Sequence, residues 1–184
     1  DFQILDAVAR IELSDRFNLW VGRHLPPSDR ANLYGPYYSS NWAVFTDGVQ
    51  DGYPFVFQGR NNGVTYWGQF GKVKVSLGAY DGASATGDNS ILTAGRVQVN
   101  FWDPEAGYYL NGTYYGDKDL LTLGFATQVQ SGGETKQLGN GVTFKEVGTK
   151  NASSVDFLFE QGVAGGGAVT LEAEWARYDG LGGY

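Results

Sequence analysis

The chain contains no cysteine, which removes disulfides, thiol nucleophiles and cysteine-based metal sites together. It has one histidine, His24, so imidazole chemistry has a single possible address. Only 5 prolines stand against 28 glycines, 12 tyrosines, 11 phenylalanines and 5 tryptophans. That mixture is poor in helix formers and rich in what strands and tight turns require. Basic residues number 13 against 20 acidic ones, and a net charge of -7 disfavours nonspecific binding to nucleic acid. No stretch approaches the roughly 20 apolar residues of a membrane-spanning helix. A β-barrel escapes that test, because it crosses a membrane with alternating strands of about 9–11 residues. There is no signal-peptide pattern, and Asp1 falls inside or just before a strand, so the chain reads as processed or partial. Its 184 residues are enough for one domain with a sizeable core.

What is present is alternation. Residues 3–13 place Leu5, Ala7, Ala9, Ile11 and Leu13 on one face and Asp6, Arg10 and Glu12 on the other. Ser14-Asp15-Arg16 is turn chemistry, and residues 17–24 read as a second strand. Residues 63–70 and 72–80 flank Gly71 as a tight hairpin, with Val73, Val75, Leu77 and Ala79 opposite Lys72, Lys74, Ser76 and Tyr80. Further strands are expected over 91–102, 119–130, 151–160 and 168–178, with polar, glycine-rich excursions at 81–89 and 131–150. Asp103-Pro104-Glu105 ends the fifth strand, because proline cannot continue a ladder.

Between the second and third strands lies a stretch without helical or two-residue periodicity. Residues 25–59 carry Tyr37, Tyr38, Trp42, Phe45, Phe55 and Phe57. Disordered segments are poor in aromatics, and compact domains seldom hold so long a structureless loop without using it. An ordered, inward-folding loop is therefore expected here. Connections after the first, third and seventh strands are short, and the others are longer and polar. Outer-membrane barrels sort their loops in this way, with short periplasmic turns and longer extracellular loops. Residues 103–118 break the parity and could hide a further strand at 108–115.

Alternation alone does not say which face meets water. In a soluble sandwich the apolar face is buried, whereas in a membrane barrel it meets lipid and the polar face meets a watery lumen. Three features favour the barrel. Aromatics gather at strand ends (Phe17, Trp20, Phe70, Tyr80, Phe101, Trp102, Tyr178), where interfacial girdles belong. The apolar rows are simple in side-chain size, unlike an interdigitating core. Charges such as Arg10, Arg96, Glu172 and Glu174 sit at mid-strand. The expected fold is thus all-β, a transmembrane antiparallel up-and-down barrel with about eight strands in this chain.

The run DAVARIELSDRFNLWVGRHLPPSDRANLYGPYY resembles the Gram-negative outer-membrane porins related to the phosphate-selective porin O/P group, in which two strands ending in V-G-R lead into a Pro-Pro loop. FQGRNNGVTYWGQF and AGRVQVNFWDPEAGYY resemble further stations of that pattern. The resemblance implies an outer-membrane porin: a barrel of about sixteen strands, usually a homotrimer in membrane lipid, with a loop folded inward to narrow a channel for small hydrophilic solutes or ions. Residues 1–184 would form part of one such barrel. The residues expected to line the pore or its constriction are Arg10, Glu12, Arg23, Asp29, Arg30, Asp47, Asp51, Arg60, Lys72, Lys74, Arg96, Asp156, Glu172 and Glu174. With basic residues on strands four and five and acidic ones on strands seven and eight, opposed patches across the pore are expected. Phosphate selectivity does not carry over, because the chain lacks a ladder of basic residues.

Other chemistry is weaker. His24 near Ser28 and Asp29 invites a hydrolase reading, but a triad is a matter of geometry and not adjacency. Asp47 with Asp51, and Asp81 with Asp88, could offer oxygens to calcium, yet EF-hand spacing is absent and turn aspartates usually only form turns. Residues 162–167 are not followed by a helix, so they do not cradle phosphate. Asn111 and Asn151 match a glycosylation pattern common by chance. No catalytic residue, metal or cofactor is expected. The alternative is a soluble β-sandwich binding glycans through Trp42, Tyr37 and Tyr38.

Overall fold

The computed structural model describes residues 6–34, 60–82, 90–137 and 144–179. Expectations placed on Asp47, Asp51, Asp88 and the rings from Tyr37 to Phe57 lie outside the described residues. Eight strands form one antiparallel sheet in which spatial order equals sequence order. They are β1 (Ala7–Ser14), β2 (Phe17–His24), β3 (Asn61–Phe70), β4 (Val73–Gly82), β5 (Ser90–Asn100), β6 (Leu120–Gln137), β7 (Phe144–Gly162) and β8 (Ala168–Asp179). A single helical turn, α1 (Arg30–Tyr34), follows β2. β1 and β8 stand at the edges and do not pair with each other, so the described sheet is open. All eight strands share this one sheet, which is not the two-layer arrangement of a sandwich.

The two-residue period fixes the register, since a one-residue slip would move every side chain to the other face. One row crosses the sheet as Val75, Val97, Phe125, Val155 and Trp175. The neighbouring row, on the opposite face, is Lys74, Gln98, Gly124, Asp156 and Glu174. Burial runs against the usual order. Leu13, Leu77, Ile91, Leu171 and Trp175 are 56–73% exposed, while Arg96, Gln98, Thr122, Gln128, Asp156 and Glu160 are at most 5% exposed. The covered face is the polar one. Among the described residues its largest apolar cluster joins Trp20 and Trp67 to Ala31, Leu33, Tyr34, Tyr108 and Leu110.

Two expectations need correction. The segment 131–150 is not simply a polar excursion: β6 and β7 continue beyond residues 130 and 151, through Glu134↔Gly148 to Gln137↔Phe144. An irregularity between Gln130 and Glu134 absorbs the glycines at 132 and 133 in the way a bulge does. Residues 108–115 hold no extra strand. Segment 101–119 instead turns back across the polar face. Pro104 lacks a ladder donor, and Gly107, Tyr115 and Gly116 all take positive φ. The absence of that strand leaves the order of the ends unchanged downstream, but the expected sorting of loop lengths holds only in part, because 101–119 is long at the short-turn end and only residues 138–143 join β6 to β7. The turns at 15–16, 71–72 and 163–167 share one end of the sheet with 101–119.

Candidate functional site

Two segments cover the polar face: residues 25–34 after β2, and 101–119 after β5. The first enters through Pro26 and Pro27, whose rings remove backbone donors. The Asp29 carboxylate then caps α1, accepting hydrogen bonds from the Asn32 backbone N–H (2.8 Å) and side chain (2.6 Å) and from the Ser28 hydroxyl (3.0 Å). Asp29 is fully buried. Burial raises its pKa even though the Asn32 and Ser28 donors pull the other way.

α1 delivers Arg30 to the centre of the site. Its guanidinium holds Glu105 at two points, one bond measuring 3.0 Å, and also donates to Thr122 Oγ1 (3.1 Å) and the Asn111 carbonyl (3.1 Å). The Arg30 backbone N–H donates to Asp156 (3.3 Å), and Arg30 Nε lies 3.8 Å from the same carboxylate. Asp156 is held at two points by Arg96, one bond measuring 2.8 Å. Arg96 reaches Gln98 Oε1 (3.2 Å), and Gln98 Nε2 returns to Glu105 (2.6 Å). The result is a closed ring, Arg30–Glu105–Gln98–Arg96–Asp156, with two positive and two negative charges, all at most 5% exposed. Burial alone would push the Glu105 carboxyl up; Arg30, aided by Lys74 and Tyr114, outweighs it and holds the pKa below the ordinary value.

Gly124 makes the ring possible. It lies on β6, between Arg96 on β5 and Asp156 on β7, and a Cβ there would sit 2.2 Å from Arg96 Nη2 and 2.4 Å from Asp156 Oδ1. The arginine crosses the middle strand only because that strand has no side chain at the crossing.

Glu160 makes the second fastening. It accepts hydrogen bonds from Thr113 Oγ1 (2.7 Å), Thr170 Oγ1 (3.0 Å) and the backbone N–H groups of Tyr114 (2.9 Å) and Gly116 (3.0 Å). Those bonds seat the far half of segment 101–119 on β7. Nearer β2, Tyr108 packs on Trp20 at 4.9 Å and donates to the Leu25 carbonyl (2.8 Å), tying the two inward segments together.

The structure distributes the expected pore residues unevenly. Arg30, Arg96 and Asp156 meet in the ring, and Asp29 sits beside it as the helix cap. Lys74 is buried and donates to the Gly107 carbonyl (2.8 Å), and Glu172 accepts from Tyr34 Oη. Glu174 pairs with Asp156 across the β7–β8 ladder, and its Oε2 has no partner among the described atoms. Arg10 stacks over Trp20 at 4.2 Å, and Glu12 accepts the Trp20 indole N–H at 3.0 Å. Lys72 lies in the hairpin turn and donates to the Phe101 carbonyl (2.6 Å), while Arg60 pairs with Asp6 at 3.0 Å. Arg23 does not belong with them: alternation along β2 puts it on the face of Phe17, Leu19 and Val21. The opposed charge patches are also corrected, since Arg96 and Asp156 bond each other directly. Tyr80 is another correction. It is no rim aromatic, because it points to the polar face and bonds Thr65 and, at 3.3 Å, His24.

Sequence reasoning missed Glu105, Gln98 and Tyr108. Glu105 was read only as part of a strand stop, yet an acidic residue between Pro104 and Gly107 in a connection too long for its end of the sheet was the available signal. The hydrolase grouping does not form: His24 Nε2 lies 2.6 Å from Thr65 Oγ1, whereas Ser28 bonds Asp29. Among the described residues no group of three or more His, Asp or Glu could hold a metal ion.

Two tests follow from this geometry. Gly124→Ala is expected to lower stability in equilibrium denaturation by about 1–3 kcal/mol more than Gly95→Ala, where a Cβ meets the end of the Leu77 side chain at 3.1 Å and the Ser76 carbonyl at an ordinary 3.8 Å. Equal costs would remove Gly124 from the argument. For Glu105, the folded pKa lies below the unfolded value near 4.3. Its contribution is therefore present above that pH and lost as pH falls through the folded pKa. Glu105→Gln is expected to cost about 3–5 kcal/mol at pH 7 and to flatten the acid limb of a stability–pH series; an acid limb of unchanged steepness would contradict this.

Compared with known proteins, the chain matches no family model, no curated protein and no solved structure.

Proposed function

We propose that the chain forms part of the wall of a porin-like channel in the bacterial outer membrane, through which small hydrophilic solutes or ions diffuse passively. The observation that carries this reading is the inverted burial of the sheet. Water-soluble antiparallel sheets put the apolar face on the core and the polar face outward. Here the polar face is covered by the chain's own segments, and an apolar face spanning eight strands is bare. Apolar patches far beyond a few hundred Å² mark a membrane or partner surface, and a barrel wall in lipid has this arrangement.

Two further features agree. Strands β3, β4 and β5 run 10, 10 and 11 residues, close to the length that crosses a bilayer at a barrel's tilt. Phe17, Phe70, Phe101 and Trp102 are 39–50% exposed and lie together at the short-turn end, with Trp102 against Phe159 at 5.6 Å. An interfacial girdle would stand there. Unpaired sheet edges are not tolerated in hydrocarbon, so this reading requires further strands beside β1 and β8. It assigns no reaction to the protein. Assembly as a homotrimer belongs to the same reading and is tested by comparing unheated and boiled samples on a denaturing gel.

Leu77→Arg and Leu171→Arg distinguish lipid from water on the apolar face. In a bilayer each should destabilise folding by about 2–4 kcal/mol if the site is near the midplane; in water the same changes should stay within about 0.5 kcal/mol. Refolding titrations into lipid vesicles measure the difference, and the smaller cost would reject the membrane reading in favour of a soluble domain. In planar bilayers, Arg30→Leu with Glu105→Leu removes both partners of the latch together, so that neither of the two is left as a buried charge opposite an apolar side chain. Released inward segments should then raise single-channel conductance several-fold, and an unchanged conductance would show that they do not narrow the path.

A further inference from the structure

Segment 111–117 displays an aromatic ring at a conformational cost. Tyr115 is 82% exposed and has a φ of 56°, a left-handed conformation that is strained for a bulky residue. The strain is nevertheless held firmly, because the residues on both sides donate their backbone N–H groups to the buried Glu160 carboxylate, at 2.9 Å from Tyr114 and 3.0 Å from Gly116. The Tyr115 N–H itself reaches Thr113 Oγ1 at 3.1 Å, and Thr113 in turn donates to Glu160. The buried carboxylate that seats this segment thus also fixes the backbone from which the exposed ring projects. Such preorganisation favours binding by lowering the ordering cost.

The ring borders a cavity of about 510 Å³ lined by Tyr34, Asn111, Thr113, Tyr114, Tyr115 and Asp117, within the usual size of small-ligand sites. The electrostatics narrow the ligand class. No lysine, arginine or histidine is among the lining residues, which disfavours an anion such as phosphate. A cation would meet Asp117 and three tyrosine faces, but Lys118 already lies over the Tyr114 ring, its Nζ 5.2 Å from the centroid. That positive charge opposes a second one and offsets Asp117. A neutral molecule with an apolar face and several hydroxyls suits what remains: rings to stack on, an amide at Asn111 and a carboxylate at Asp117 to accept hydroxyl protons.

We propose that this cavity is a saccharide-binding subsite, with Tyr115 as its stacking platform and Asn111 and Asp117 as its hydrogen-bonding groups. Its place on a solute's path rests on the channel reading; binding itself does not.

Calorimetric titration of the detergent-solubilised protein with maltose, inorganic phosphate and tetramethylammonium tests it, alongside block of single-channel current by maltose. Maltose is expected to bind in preference to the two ions. Tyr115→Gly should weaken it about tenfold or more while keeping or improving the thermal midpoint, since glycine suits a positive φ. Tyr115→Phe should retain binding. The subsite is rejected if maltose does not bind, if phosphate or tetramethylammonium binds more tightly, or if Tyr115→Gly binds maltose as the wild type does. Conductance without maltose binding would sink the subsite and leave the channel; maltose binding without conductance would do the reverse.

Discussion

The structure depends on a ring of buried charge. Arg30, Glu105, Gln98, Arg96 and Asp156 come from four places in the chain: α1, the inward segment after β5, strand β5 and strand β7. Moving any one of these charges out of water alone would cost several kcal/mol. They are tolerable because the ring is neutral and each charge meets an opposite one, with Arg30 Nε left 3.8 Å from Asp156 and without a hydrogen bond. A closed set of this kind behaves as a unit, since each pairing holds the geometry of the next. It fastens both inward segments to the sheet, and Gly124 opens the one gap through which the fastening passes.

The ring also explains how so many polar side chains remain buried. A sheet that puts Gln98, Gln128 and Glu160 under cover needs partners for them, and the two segments supply several: the Glu105 side chain for Gln98, and the backbone N–H groups of Tyr114 and Gly116 for Glu160. Gln128 donates to the Pro27 carbonyl at 2.9 Å, and Lys74 to that of Gly107. Irregular backbone carries donors and acceptors that a strand would have spent on its neighbours. The cost falls on the opposite face, which keeps its apolar side chains bare. In the channel reading lipid covers that face, so the small apolar cluster around Trp20 and Trp67 need not act as the protein's core.

The strands were legible because period-two alternation is local, and residues such as Val73 to Ala79 state their face without help from elsewhere. The β6–β7 ladder beyond Gln130 was less legible: the glycines at 132 and 133 look like a loop when read alone, and only pairing with the partner strand turns them into an irregularity. The site was hardly legible. Arg30 and Glu105 are separated by 75 residues, and nothing near either names the other. Alternation puts Arg96 and Asp156 on the polar face, but sequence does not reveal that the intervening residue, Gly124, leaves them room to touch. Arg23 failed for a simpler reason. Its charge was allowed to outweigh the parity of its own strand.

That last point changes which residues a solute would meet. Charges on the strands of a wide barrel ordinarily face the lumen, but here the inward segments stand in front of Arg96, Asp156 and Glu160 and consume their bonding capacity. Charges that are spent on one another in a neutral ring project little field beyond it. In the channel reading, the surface that the described residues would offer to solutes is that of the segments themselves: exposed Asn111, Tyr115 and Asp117, on a turn whose shape is dictated from behind by Glu160. In the channel reading the wall's charges would set where that surface stands, and the segment's own aromatic and amide groups would set what it recognises.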